Sequence, residues 1–190
     1  ENPLRSMDLA DEESRLAAGF GFLTMKPMLY ILNIGEDQLP DRRSIEDKFK
    51  YLSELQGSSL ASICASLQMD IGEMDQSERG EFMKELGLSQ AASDVIINKS
   101  FELLGMISFI TGNEQEVRSW PVRKGISAHD AAGAVHSDMK RGFIKAEVVA
   151  FDDLDRLGNW SKTRDEGKLH LHGKDYIVQD GDVILFRFNV

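Results

Sequence analysis

The sequence predicts an α+β chain in two parts: a partial α/β segment with helices over residues 1–105, and a small sheet wrapped on a helix over 106–190. Three observations carry this. Met28-Leu-Tyr-Ile-Leu-Asn-Ile34 is apolar on both faces and ends in Gly35-Glu-Asp, as a buried parallel strand would. The run from Val183 to Phe188 places Ile184, Phe186 and Phe188 on one face, the period of a strand. Between them the pattern changes from helical to alternating at Gly105, which marks the boundary.

Taken in order, residues 1–20 are polar, with Asp11-Glu-Glu-Ser opening a short, loosely docked helix. The strand at 28–34 is followed by helical spacing of Ile45, Phe49 and Leu52 within 43–55, and by a second strand at Ser59–Ala65. Strand, helix and strand together form a piece of an α/β layer. Residues 68–88 are acidic and helical in pattern, with Asp75 or Ser77 as a cap for a helix over Glu78–Leu86 and Gly87 as its stop. Ser89 opens a further helix with Ile97, Phe101 and Leu104 on one stripe.

From Met106 the pattern is β. Met106–Ile110 and Glu116–Trp120 flank the turn signal Thr111-Gly112-Asn113. A small apolar helix covers Ala128–Val135, a strand covers Phe143–Phe151, and Asp152–Leu157 is a helical turn. Strands at Tyr176–Gln179 and Val183–Phe188 surround Asp180-Gly-Asp182, where Gly181 suits positive φ. This order suits a β-grasp, the ubiquitin-like fold.

Charge and composition exclude several classes. The chain carries 22 basic and 32 acidic residues, a net charge of -10, of which -8 lies in residues 1–100. Nonspecific nucleic-acid binding by the whole surface is disfavoured, and any basic patch belongs to the second half. Cys64 is the single cysteine, so no internal disulfide forms, which suits a cytoplasmic protein. No apolar run reaches the roughly 18 residues of a membrane helix. The start at Glu1 without Met reads as a processed or excised piece.

Glu116-Val-Arg-Ser-Trp120, Ala131-Ala-Gly133, His136-Ser-Asp138, Gly142-Phe-Ile-Lys-Ala-Glu147 and Lys174–Asp182 resemble, in order and spacing, the TGS domain of the YchF/Obg-like nucleotide hydrolases. The chain is similar to the C-terminal part of such a protein, the end of its G domain plus the TGS domain. Lys26-Pro-Met-Leu-Tyr-Ile-Leu-Asn-Ile-Gly-Glu36 resembles the family's base-recognition motif, with Asn33-x-x-Glu36 where ordinary GTPases have Asn-Lys-x-Asp. The resemblance implies that Asn33 orients a purine, that the backbone beside Ile34 contacts the adenine edge, and that Glu36 shifts preference from GTP towards ATP. Ile63-Cys-Ala65 resembles the next base loop, giving Cys64 and Ala65 backbone contacts. Cys64 equally suits a small buried core position. Pro121, His129-Asp130 and Met139 depart from the family pattern and put partner specificity in doubt.

Phosphate chemistry has no sequence support. Gly167-Lys168 and Gly173-Lys174 lack the rest of a Gly-x-x-x-x-Gly-Lys-Ser/Thr loop, and Asp130–Gly133 and Asp155–Gly158 stand in the wrong order for a switch. No catalytic or metal-ligating residue is assigned. His170 and His172 share a strand face without further ligands, and His136 with Asp138 lacks a nucleophile. The chain alone therefore needs no cofactor. ATP or GTP with Mg²⁺ is implied for the full-length parent.

Arg118, Trp120, Arg123, Lys124, Lys140, Arg141 and Lys145 are the candidate RNA- or partner-binding residues. Arg118 and Trp120 alternate with Val117 and Ser119, which puts Arg118 beside an aromatic on the open sheet face. A solvated arginine with a core tryptophan is the alternative. The expected partners are the ribosome or RNA, the protein's own upstream nucleotide domain, and a second copy through the apolar sheet edge. The function expected is a ribosome- or RNA-docking module. The alternatives are a portion of an ATP- or GTP-hydrolysing enzyme, and a stand-alone ligand-sensing regulator.

Overall fold

The computed structural model describes residues 2–112 and 116–189, so Asn113 of the expected turn lies outside the described residues. The chain divides into two compact units, Glu1–Leu104 and Gly105–Val190.

In the first unit, strands β1 (Met28–Asn33) and β2 (Ser58–Ile63) pair in parallel, from Met28 opposite Ser58 to Asn33 opposite Ile63. A 3-10 turn over Glu36–Asp41 and a helix over Arg42–Lys48 make the crossover. The helix expected to run to residue 55 stops at Phe49, and a 3-10 turn follows over Lys50–Leu52. Labelling in chain order, α1 is Asp11–Ala18, which buries no residue, and α2 is Arg42–Lys48. Helices α3 (Ala65–Glu73), α4 (Gln76–Glu85) and α5 (Ala92–Leu103) complete the unit. Cys64, Leu67 and Ile71 form its small core, with Leu39, Phe82, Met83 and Leu88 against them.

The helical stretch over 68–88 holds two helices, and the second starts at the expected cap, Asp75. Met74 and Asp75 are extended, and Arg79 satisfies the carbonyls freed at the break by donating to Met74 O at 2.9 Å and Gly72 O at 2.7 Å. Asp75 stands at the cap position of α4 but makes no side-chain cap bond. Gly87 adopts φ +67° where the helical path ends.

The second unit is the β-grasp. Its elements are β3 (Met106–Gly112), β4 (Val117–Arg123), α6 (Ala128–Val135), α7 (Ser137–Arg141), β5 (Phe143–Ala150), α8 (Phe151–Leu157), α9 (Trp160–Asp165), β6 (His170–His172) and β7 (Asp182–Phe188). The sheet order is β4-β3-β7-β5-β6, with β3 and β7 parallel at the centre and the other pairs antiparallel. Helix α6 lays Ala128, Ala131 and Ala132, all fully buried, on the sheet. Their small side chains permit close approach to Phe109, Val148, Ile184 and Phe186. Phe109 and Phe186 meet edge to face, 6.0 Å between centroids. Ser127 Oγ accepts from Asp130 N at 3.1 Å and caps α6.

Two sequence expectations change here. Tyr176–Gln179 is not a strand; it makes one isolated bridge, Ser127 to Ile177. That bridge is closed by Ala128 N donating to Tyr176 O and Val178 N to Ile126 O, and the ladder stops there because Gln179 N donates to the Asp182 carboxylate. Helix α9 was not foreseen. Asn159 caps it by accepting from Lys162 N at 2.9 Å, and Thr163 is fully buried within it. Pro121 falls on β4, an edge strand of this sheet, where a missing N–H costs little.

Candidate functional site

Parallel strands direct their carboxyl ends to one rim, the usual place for ligands in α/β sheets. Here the rim gathers Asn33, Ile34, Glu36, Cys64 and Ala65. Asn33 Oδ1 accepts from Ala65 N at 3.1 Å, tying the loop after β1 to the loop after β2. Ile34 is buried and donates its N–H to Ile63 O at 2.8 Å. Glu36 Oε1 accepts from Ser66 Oγ at 3.3 Å, and Ser66 Oγ lies 3.3 Å from Cys64 Sγ. Gly35 N–H donates to Gln38 Oε1 at 2.9 Å. Asn33 and Glu36 themselves are exposed. Asn33 and Glu36 thus form an exposed edge, with the half-buried Ala65 beside them, over a buried Ile34–Cys64 floor.

Beneath that floor lies a cavity of about 30 Å³, lined by Ile34, Arg42, Ser62, Cys64, Gln68 and neighbours. It has room for a water, not a purine. Arg42 Nε donates to Ser62 Oγ at 2.7 Å, and Ser62 Oγ in turn donates to Glu46. This side-chain chain fixes α2 on β2.

In the second unit, Arg118, Trp120 and Val122 share one face of β4, paired with Thr111, Phe109 and Ile107 of β3. That is the face α6 covers, not the opposite one that was expected for Arg118. Trp120 Nε1 donates to Thr111 Oγ1 at 2.8 Å, which satisfies its polar end while the ring packs on the core. Arg118 Nε donates to Glu116 Oε1 at 2.7 Å and stays exposed. A groove of about 490 Å³ runs past them, bordered by Val135, His136, Met139, Phe186 and Phe188.

The remaining basic residues do not join one patch. Arg123 alternates to the opposite face of β4, and Lys124 follows it. Lys140 pairs with Asp130 at 2.8 Å and Arg141 with Asp138 at 2.9 Å. Lys145 lies on β5 directly opposite Arg187 of β7. Arg187 and Arg164 surround Glu147 and were missed by the sequence reading. The alternation Val183-x-Leu185-x-Arg187 was the available signal.

The histidines are structural in their contacts. His136 caps α7, its Nδ1 accepting from Asp138 N at 3.2 Å. His129 Nε2 meets Lys140 O at 3.0 Å, and His172 stacks on Tyr176 at 3.8 Å. Burial and the nearby Asp182 carboxylate, 2.8 Å from the phenol oxygen, push the Tyr176 hydroxyl well above its ordinary pKa. Among the described residues no group of three or more His, Cys, Asp or Glu is placed to hold a metal, and no helix is long and apolar enough to cross a membrane.

Comparison with known proteins adds the following. Residues 106–189 match the YchF-GTPase_C family, described as a protein of unknown function (DUF933). The chain is 40% identical over 192 residues to a protein of Bacillus subtilis (strain 168) named ribosome-binding ATPase YchF, covering all of this chain and 52% of that protein. It is 38% identical over 187 residues to the protein of that name from Escherichia coli O157:H7, covering 98% of this chain and 51% of the other. The solved structure of the Schizosaccharomyces pombe YchF GTPase superposes with a TM-score of 0.78 at 27% identity, over 98% of this chain and 50% of that one. The chain spans about half the length of the curated relatives it matches.

Proposed function

We propose, because residues 106–189 belong to the YchF-GTPase_C family and the chain is homologous to the C-terminal half of YchF proteins, that it acts as the ribosome-docking half of such an ATPase. The observation that carries this is the alignment of nearly all of this chain to about half the length of proteins named ribosome-binding ATPases. The β-grasp contributes the docking surface. The groove beside Arg118 and Trp120 is its centre, because an aromatic edge and an arginine together suit RNA stacking and phosphate contact. The test is sedimentation of the chain with ribosomes. Arg118→Glu is expected to weaken pelleting without shifting the unfolding midpoint; unchanged pelleting removes the groove from the interface.

The rim of the first unit serves as the purine-recognition edge of a nucleotide domain. Asn33 stiffens the two loops through Ala65 N, and the Glu36 carboxylate, held on one oxygen by Ser66, keeps its other oxygen for a purine amino group. In this role ATP supplies the phosphoryl chemistry, and Mg²⁺ and the phosphates are held by residues outside this sequence, which contains no Gly-x-x-x-x-Gly-Lys-Ser/Thr segment. Calorimetric titration with ATP and GTP tests the edge. Weak binding that favours ATP is expected; a clear preference for GTP refutes the role given to Glu36.

A further inference from the structure

Three cations converge on one carboxylate on the sheet face away from α6. Lys145 and Glu147 lie two apart on β5 and share this face; Arg187 lies on β7 opposite Lys145, and Leu185 and Leu171 flank Glu147. Arg187 reaches diagonally to Glu147, with Nε 3.0 Å from Oε1 and Nη2 3.2 Å from Oε2. Arg164 of α9 approaches the same carboxylate at 3.7 Å. Lys145 has no ion-pair partner among the described residues. Like charges directly opposite on a sheet repel, and one carboxylate neutralises one cation of three. The geometry is also layered. The Glu147 side chain is 8% exposed, whereas Arg187 and Arg164 are 49% and 65% exposed. The negative charge is buried and the positive charge faces solvent.

We propose that Lys145, Arg164 and Arg187 form a phosphate-binding site for the phosphodiester backbone of RNA, on the sheet face opposite the Arg118 groove, with Glu147 as the positioning residue that fixes the Arg187 fork. Guanidinium and ammonium groups recognise phosphate oxygens by charge-assisted hydrogen bonds. Arg187 keeps Nη1 for a ligand, since Nε and Nη2 are committed to Glu147. The exposed rim made by Arg187, Arg164 and the 59% exposed Leu171 suits an extended polymer rather than an enclosed small molecule. The site takes its source of phosphate, ribosomal RNA, from the docking reading. Its affinity for phosphate is a property of this chain and can be measured alone.

The experiment uses the full chain and a fluorescently labelled oligouridylate of about a dozen nucleotides, titrated over a range of salt. The variant Lys145→Gln/Arg164→Gln leaves the Arg187–Glu147 pair in place, and a urea melt verifies its fold. Removing two phosphate contacts is expected to lower the slope of log affinity against log salt by about 1.4, at about 0.7 per single-strand contact. An unchanged slope, or wild-type chain that does not bind the oligomer, overturns the proposal. Inorganic tripolyphosphate that matches the oligomer in affinity overturns the assignment to RNA. Ribosome sedimentation separates the two readings. Wild-type pelleting with an oligomer slope the variant leaves unchanged sinks this site and spares docking; a variant-sensitive slope without any wild-type pelleting sinks docking and spares the site.

Discussion

Replacing Glu147 by Gln is the most informative perturbation of the second unit. Glu147 is 6% exposed and accepts two hydrogen bonds from the Arg187 guanidinium. Hydrogen bonds to charged groups are worth about 1.5–3 kcal/mol each. The amide keeps one acceptor but turns an NH₂ towards the fork, so we expect a net loss of about 2 kcal/mol. For a domain of this size that corresponds to a fall of about 8–16 °C in Tm. The pH dependence supplies a second signature. The Arg187 hydrogen bonds, followed by the charges of Arg187, Lys145 and Arg164, hold the Glu147 carboxyl below the ordinary glutamate value of 4.5 against the opposing cost of burial. A folded-state pKa below the unfolded one gives stability that is complete above the unfolded value and is lost as pH falls through the folded one. Wild-type chain should therefore lose this contribution below pH 4.5, and the Gln variant should lack that component of the acid sensitivity. Urea melts followed by tryptophan fluorescence suit the measurement, because both tryptophans, Trp120 and Trp160, lie in this unit. A destabilisation under about 0.5 kcal/mol, or an acid profile identical to wild type, would refute the reasoning.

Three further outcomes are expected. Gly142→Ala drives a Cβ into Asn189 O and to 2.7 Å from Asn189 C, so the strand exit must move and the 3.0 Å bond from Asn189 N to Gly142 O is strained; a loss of about 1–3 kcal/mol should appear in urea melts, and a neutral result would contradict this packing. Tyr176→Phe removes the 2.8 Å bond to Asp182, which keeps Gln179 N as a partner, and should cost about 1 kcal/mol in the same melts. The chain alone should release no phosphate from ATP; Mg²⁺-dependent turnover that Asn33→Ala abolishes would overturn the division of labour proposed above.

Much of the fold is written locally in the sequence. The run Met28–Ile34 and the alternation at Val183–Phe188 each commit a segment to a strand, but β1 buries none of Met28–Asn33, contrary to the buried strand that its two apolar faces predict, since it pairs with β2 alone among the described residues. Gly181, at φ +79°, could be placed by its turn alone. The start of α4 was marked by Asp75 as a cap, whereas the reach of Arg79 back to two carbonyls at the break was not legible. Tyr176–Gln179 looked like a strand because its composition is β-like, yet its pairing is limited to one bridge before α6 and Gln179 N is claimed by the Asp182 carboxylate. The same holds for the candidate sites. Asn33-x-x-Glu36 and Cys64-Ala65 are separate motifs, and their union through Asn33 Oδ1 and Ala65 N is a tertiary fact. The basic residues were legible as a set but not as a surface. Alternation on β4 sends Arg118 and Arg123 to opposite faces, and the pairing of Lys145 with Arg187 depends on strand register.

The most direct test of the docking role is competition. Ribosomes loaded with the Bacillus subtilis relative, titrated with this chain and pelleted, should release that protein as the chain takes its place. Full retention of the relative, with the chain left in the supernatant at every concentration, would contradict the assignment of ribosome docking to this half.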